Sequence, residues 1–517
     1  MRQPSQGAHI PPAATRTPEL QRLSADRSGL RLATGRGRWV LTATVLGSSI
    51  AFLDATVVGI AQPAFGREFH ATVAGLQWVS IGYMLTLSGL LLLGGALGDR
   101  FGRRRIFLIG VVWFGASSLL CAFAPSIGLL AAARAVQGVG AALLAPGSLA
   151  IIEASFAPQD RAGAIGAWSG LGGVAGAIGP FAGGYIITAF SWRYIFLINV
   201  PLVIAVVLIT LRHVPETRNP AASGRVDVPG ALLALIGLAG LSYGLVSGPS
   251  LGWTSPPVLA ALAGSIVAFA VFVAVERNVV EPLVPLGIFR SRQFSATNAS
   301  TLLLYAVMSA IFFLMPIELQ QVAHYSPMAA GASLLPITFC LLVFSRYSGA
   351  LAARIGPRLQ MSVGPLVVAV GMLLYTRIDA SGGYALEVLP AVLVFGMGLA
   401  ITVAPLTATA LSSAPDEHAG IASAVNNTVA RAGGMLAVAI LPAAAGITGA
   451  SYLHPAQFQT GFQHASLIAA VVCAAAGLIA AALIRNPRGR PSVLATAPTA
   501  LHGGIDCRAP VPVPVRD

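Results

Sequence analysis

Long apolar runs, separated by short stretches rich in arginine, glycine and proline, organise the chain. A helix that spans a bilayer needs roughly 20 largely apolar residues. Runs of that kind lie at 39–61, 78–97, 106–124, 127–152, 165–188, 194–211, 228–251, 258–275, 294–314, 329–350, 361–375, 388–411, 419–447 and 465–484. The pattern predicts an all-α integral membrane protein with fourteen spanning helices. Residues 1–37 are polar, with Pro, Arg and Ser, and read as a disordered tail. The first run exceeds a signal-peptide apolar segment and reads as an uncleaved anchor. The Pro-rich residues 486–517 read as a second tail.

Composition narrows the function. Of 517 residues, 56% are hydrophobic and 9% charged, and the mean hydropathy is +0.79. A soluble chain runs near a quarter charged, so a water-soluble globule is excluded. All 31 basic residues are Arg. Without Lys there is no Walker A lysine and no Schiff-base lysine, which excludes a P-loop ATPase and a pyridoxal enzyme. Uphill work must draw on something other than ATP bound by this chain. Cys121, Cys340 and Cys473 lie in apolar runs and Cys507 in the tail, without disulfide or metal spacing. Neither a metal nor a cofactor is expected. The all-Arg, Ala- and Gly-rich usage suggests a GC-rich bacterial genome.

The arginines also set the orientation, because cytoplasmic loops retain positive charge. With both termini inside, 25 arginines fall on the cytoplasmic side, and only Arg67, Arg193 and Arg377 fall outside. Arg134, Arg346 and Arg431 lie within spans. This asymmetry accounts for the net charge of +13 without a nucleic-acid partner.

Two segments recur in order. GALGDRFGRRR at 95–105 matches GALAARIGPRL at 349–359 in six of eleven positions, and APQDRAGAIGA at 157–167 matches APDEHAGIASA at 414–424 in five of eleven. Spans 2 to 5 therefore correspond to spans 10 to 13. The expected organisation is a six-helix half at 38–213, two inserted helices with their flanking loop at 214–276, and a second half at 277–485. Parallel repeats of six helices, with a substrate site between them near the midplane, are a transporter plan that works by alternating access.

Four local motifs carry a resemblance. The loop after span 2 places Gly95, Asp99, Arg100, Gly102, Arg103 and Arg104 in GALGDRFGRRR; span 5 reads GGVAGAIGPFAGG, with Gly172, Gly176, Gly179, Pro180, Gly183 and Gly184. Span 4 carries Arg134, Gln137, Gly138 and Gly140 in RAVQGVGAA, and span 1 carries LDATVVGIAQP with Asp54. From about 39 to 484 the chain resembles the fourteen-helix drug:proton antiporter group of the major facilitator superfamily. The span 1 motif departs from the group where Gly59 replaces the usual Asn and Gln62 the usual Leu. The resemblance implies the major facilitator fold. It marks the span 2–3 loop as a cytoplasmic gate, span 5 as the motif of antiporters, and a proton gradient as the energy source. Asp99 can pair with Arg on its own loop or with a neighbouring helix N-terminus and so hold that side closed. Small residues four apart let helices approach closely, and Pro180 permits a kink.

Charges inside spans are costly and usually face a bundle interior or cavity. Asp54 stands about 22 Å along span 1 and Arg134 about 10 Å down span 4 from the outside, so the two reach one depth in a ~30 Å core. They are the first candidates for proton coupling and substrate response. Glu318 at the outer end of span 9 reads either as a second proton site or as an interfacial carboxylate without a role. Arg431, with Asn426 and Asn427, matches the group's pattern in span 13. Arg346 is close enough to the cytoplasmic face to snorkel. Tyr305, Met308, Phe312, Phe313, Phe395 and Met397 either line a greasy cavity or pack. Trp39, Trp78, Trp192 and Trp253 read as interface anchors.

The leading expectation is a proton-coupled exporter of hydrophobic or cationic small molecules across the bacterial plasma membrane, monomeric, with an amphipathic substrate, protons and lipid as its partners. A symporter or carrier of another metabolite is the alternative within transport. A membrane enzyme is disfavoured, because no HExxH or DxD-like cluster occurs and the eight His are scattered.

Overall fold

The computed structural model describes residues 29–218, 227–279, 282–380, 383–413 and 419–486. Among them, fourteen helices are long and apolar enough to cross a membrane. They are α1 (Gly35–Phe69), α2 (Val73–Phe101), α3 (Arg103–Ala122), α4 (Ile127–Ser155), α5 (Pro158–Ala189), α6 (Tyr194–His213) and α7 (Val228–Leu251). The rest are α8 (Pro256–Asn278), α9 (Arg292–Gln321), α10 (Pro327–Ile355), α11 (Pro357–Tyr375), α12 (Tyr384–Ser412), α13 (Ile421–Ala444) and α14 (Pro455–Leu483). Each predicted run has its helix. Residues 1–28 and 487–517, Arg225 and the segment 414–418 of the second repeat match lie outside the described residues.

The helices run past their apolar stretches because local chemistry closes them. Thr34, Thr72, Ser126, Asp227, Ser291 and Ser326 each accept a backbone N–H at the start of a helix, satisfying a donor that would otherwise be orphaned. Pro158, Pro256, Pro357 and Pro455 open others at a position that needs no donor. Residues 29–34, assigned to the tail by composition, are fastened instead. Leu30 pairs with Phe156 through N–H···O contacts of 2.7 and 3.0 Å, and Leu32 N–H donates to Asp160 Oδ2 at 2.9 Å. Large apolar side chains such as Phe123, Ile266, Val267 and Leu478 remain on the outside of the bundle, as a lipid-facing surface requires.

Packing repeats with an offset of eight helices. In α1–α6, α2 and α3 pack on α4, and α1 packs on α5; in α9–α14, α10 and α11 pack on α12, and α9 packs on α13. The two sets meet through α5 on α10, its counterpart α13 on α2, and α1 on α9. Helices α7 and α8 pack on each other, and α7 leans on α2 and α13. The first sequence repeat is repeated in detail. Gly102 (φ 115°) and Gly356 (φ 86°) are each the single residue joining two helices, in a conformation that side chains rarely adopt. Beyond Gly102, Glu216 accepts the N–H groups of Arg104 and Arg105 at 3.1 Å, and beyond Gly356, Asn486 accepts that of Arg358 at 3.1 Å. Arg104 then donates to Leu211 O and Arg358 to Ala481 O, tying each loop to the last helix of its own set.

The apolar core joins the two sets at one end only. The start of α1, the end of α14 and most of the described loop arginines lie on one face, called here the arginine-rich face. A buried cluster runs through α9–α14 and takes in α1–α6 only at the end remote from that face, through residues such as Val57, Phe65, Leu76, Trp192 and Phe196. Nearer the arginine-rich face, α1–α6 have a separate core around Val40, Phe107, Phe114 and Ile151. Polar contacts reinforce the remote seam. Gln77 Nε2 donates to Val438 O at 2.7 Å, Gln320 Nε2 to Ile60 O at 3.0 Å and Tyr452 Oη to Ala71 O at 2.7 Å.

Candidate functional site

On the side where the sets part, a cavity of about 710 Å³ opens. Its mouth carries Asp99, Arg100, Arg103, Glu153 and Asp227; its wall is apolar, with Phe52, Ala55, Leu87, Leu91 and Trp168; and its depth reaches Tyr83 of α2 and Arg431 of α13. Trp168 is held in the wall by a hydrogen bond from Nε1 to Ser48 Oγ at 2.9 Å.

Behind Tyr83 stands a closed polar cluster. Arg134 Nη1 lies 2.5 Å from Asp54 Oδ2, and both residues are nearly inaccessible, at 2% and 1%. The other carboxylate oxygen, Oδ1, accepts from Gln137 Nε2 at 3.1 Å and Asn199 Nδ2 at 3.2 Å. Both amides also donate to Ser118 Oγ, and Gln137 Oε1 accepts from Arg134 at 2.6 Å. Arg134 lies 4.2 Å from the centre of the Tyr83 ring, so that ring separates the ion pair from the cavity. Buried charges persist when each is paired and its remaining valences are hydrogen-bonded, and this cluster meets both conditions. The depth match expected from the sequence is therefore a direct contact. Asn199 and Ser118 are members that sequence reasoning missed. A lone Asn in an apolar span was the available signal, since an amide there needs partners.

The other candidates are placed as follows. Asp99 accepts from Arg103 Nε at 2.9 Å on its own loop, and Arg103 Nη1 donates to Ala150 O at 3.1 Å, so the expected gate loop lines an open mouth in this conformation. Gly95 lies in the same wall, while Gly102 turns the loop. Gly138 lets α4 onto α2, where a Cβ would fall 2.4 Å from Tyr83 O. Within α5, a Cβ on Gly179 would meet Thr56 and one on Gly183 would meet Val57, both on α1, whereas Gly176 has room, with Phe52 Cβ at 3.9 Å. Pro180 and Gly184 face the other set: Gly331 of α10 rides on Pro180 O, and a Cβ on Gly184 would lie 2.3 Å from Pro327 O.

Glu318 is fully buried in the remote seam, in a π-helical turn that ends α9, and neither of its oxygens has a hydrogen-bond partner among the described residues. Of the two departures in α1, Gln62 donates to Ser80 Oγ at 2.9 Å, and Gly59 allows α1 close to Phe312 O of α9. Arg346 is exposed, 5.0 Å from the Tyr347 ring centre. One expectation needs correction. Trp192 is no interface anchor: it is 4% exposed, packs on Phe65, Phe69 and Phe196, and donates to Glu68 Oε2 at 2.5 Å. Met308, Phe312, Phe313 and Phe395 belong to the seam's apolar core and do not line this cavity.

The sequence profile of the Major Facilitator Superfamily matches residues 44–438. The tetracenomycin C resistance and export protein of Streptomyces glaucescens is 35% identical over 415 residues, covering 80% of this chain and 76% of that protein. The lincomycin resistance protein of Streptomyces lincolnensis is 36% identical over 439 residues, covering 83% and 88%. A methylenomycin A resistance protein of Bacillus subtilis is 35% identical over 404 residues, covering 78% and 86%. Among solved structures, a peptide transporter POT in complex with sulfate superposes with a TM-score of 0.60 at 14% identity, over 90% of this chain and 99% of that one, a likeness of fold. Extended similarity over most of its length, together with this helical architecture, makes the chain a member of the major facilitator superfamily.

Proposed function

We propose that the chain is a proton-driven exporter of amphipathic small molecules of the antibiotic or drug type, in the fourteen-helix drug:proton antiporter group. It works by alternating access between a six-helix half at 38–213 and another at 277–485, with the segment 214–276 inserted between them. The arginine-rich face is cytoplasmic, both termini are inside the bacterial plasma membrane, the working unit is a monomer, and no cofactor is needed. The observation that carries this reading is a central cavity sealed at the seam and open toward the arginine-rich face, with a buried Asp54–Arg134 pair one aromatic ring away. Resistance and export proteins among the relatives support the cargo class.

In the cycle, cargo enters the cavity from the cytoplasm while Asp54 is ionised and held by Arg134. Closing the mouth and opening the seam shifts α1 against α4, which loosens the pair and lets Asp54 take an outside proton. Return to the present conformation restores the pair, and Arg134 displaces the proton inward. Proton and guanidinium compete for one carboxylate, and that competition is the coupling. Asp99 and Arg103, with Arg100 and Arg104, close the mouth in the opposite state. The test is a toxicity panel in a pump-deficient host with and without an uncoupler, together with cargo-induced proton release in vesicles. Protection that the uncoupler abolishes is the expected result; protection indifferent to the gradient, or gradient-driven accumulation, would overturn it.

A further inference from the structure

The blind end of the cavity holds a cation that no carboxylate balances among the described residues. Arg431 stands ten residues into α13, about 15 Å from the arginine-rich end and so near the middle of a ~30 Å core. It lines the cavity, and its Nε is buried without a hydrogen-bond partner. Among the described residues no carboxylate pairs with it, and the titratable groups within its electrostatic reach are the phenols of Tyr83 and Tyr305. The acids of the cavity are elsewhere. Asp99 is bound to Arg103, Asp227 caps α7 through Gly230 N–H at 2.8 Å, and Glu153 is exposed in the last turn of α4. Asp54, the carboxylate at the right depth, faces away behind Tyr83 and spends both oxygens on Arg134, Gln137 and Asn199.

An unpaired guanidinium in a low-dielectric site is expensive, and its planar fork matches a carboxylate in two parallel hydrogen bonds. A cationic guest would meet like charge there and no counter-charge. The wall between mouth and blind end is apolar, with Trp168 and Phe52. The matching occupant is a molecule with a flat apolar body and one anionic group at its end, a carboxylate or phenolate. We infer that Arg431 anchors the anionic group of the cargo, so that the cavity selects acidic amphiphiles over cationic ones. This assignment rests on the reading of the cavity as the cargo site, and it departs from the hydrophobic or cationic cargo expected from sequence alone.

The experiment is equilibrium binding to the purified full chain in phosphatidylcholine nanodiscs, followed by the part of the tryptophan quenching that Trp168→Phe removes. The probes are anthracene carboxylate and the matching hydroxymethyl and aminomethyl anthracenes. The expected result is binding of the carboxylate about 10-fold or more tighter than the alcohol, with the amine weakest. Arg431→Gln should bring the carboxylate down to the alcohol's affinity while leaving the alcohol unchanged, which also reports that the variant is folded. Arg431→Lys should keep part of the preference. Equal binding of carboxylate and amine, or a preference that survives in Arg431→Gln, would overturn the assignment. Loss of the preference on adding phosphatidylglycerol would assign the site to a lipid headgroup and overturn it too. Since no gradient is involved, an Arg431-dependent preference beside a failed export assay would fault the direction of transport and leave the site intact.

Discussion

The two halves handle buried charge in opposite ways. In α1–α6, Asp54 and Arg134 satisfy each other and are completed by Gln137, Asn199 and Ser118, five residues from four helices. In α9–α14, Glu318 and Arg431 stand apart, one in the seam and one in the cavity, each without a counter-charge among the described residues. In the proposed cycle, a satisfied network inside one half would keep its geometry while that half moves as a body, whereas unpartnered groups at the surfaces between halves would change surroundings with every stroke, which suits them to sensing cargo or conformation.

The sharpest way to break the contrast is at Asp54. Asp54→Ala leaves Arg134 buried without a partner and should destabilise the fold by about 3–5 kcal/mol. Asp54→Asn keeps the shape but turns one accepting oxygen into a donor and leaves Arg134 without a counter-charge, so the protein should fold with less stability than the parent and proton-linked uphill export should be abolished, while Asp54→Glu retains part of it. Cargo-induced proton release in vesicles reads the difference. Wild-type exchange in the Asn variant would move the coupling role to Glu318.

Next in size is the seam. Gly184→Ala places a methyl against the backbone of Pro327 and should hold the seam ajar, lowering transport by about 10-fold or more through strain of about 1–3 kcal/mol. Gly176→Ala, on the same helix, should be close to neutral, because its nearest neighbour outside the helix is at 3.9 Å. Labelling of an engineered cysteine near Ile60 from outside would report the opened seam; equal behaviour of the two variants would show that close packing at Gly184 does not matter.

A smaller loss is expected at the mouth. Asp99→Asn removes the partner of Arg103 in a half-exposed place, where an ion pair contributes only about 0–1 kcal/mol, so folding should be unaffected. Transport should slow because the closed-mouth state loses a charge it uses, and normal efflux at normal expression would refute that role. Smallest is Glu318→Gln: with no donor on either oxygen among the described residues, the neutral amide should fit the present conformation, and transport should stay within about twofold of the parent. A larger drop in proton exchange would mark Glu318 as a second coupling group.

The spans were readable in the sequence because lipid leaves no ambiguity about a run of twenty apolar residues. Their ends were not. Helix α14 begins at Pro455, ten residues before its apolar run, because PAQFQTGFQH is polar yet opens on a proline and packs through Phe458 and Phe462. Asp54 and Arg134 could be set at one depth by counting, but which way each faces depends on how α1 and α4 rotate against each other, and only packing fixes that. Asn199 is separated from Asp54 by 145 residues and Glu216 from Arg104 by 112, so neither partnership leaves a local trace. Trp192 looked like an anchor because it follows a span, but a neighbouring Phe65 and the Glu68 carboxylate take it inside. That Glu318 and Arg431 lack partners is a statement about every helix around them, which no single span can carry.

The one-sided apolar seam has a thermal consequence. Opening it wets side chains such as Phe65, Leu76, Val438 and Phe313, whereas closing the mouth brings together the charged residues of its rim, Asp99, Arg100, Arg103, Glu153 and Asp227. The switch from the present shape to its opposite should therefore carry a positive heat-capacity change, as exposure of apolar surface does. Apolar burial weakens on cooling, so the empty transporter should drift toward the outward-open shape as temperature falls, and its turnover should trace a curved rather than a straight Arrhenius line.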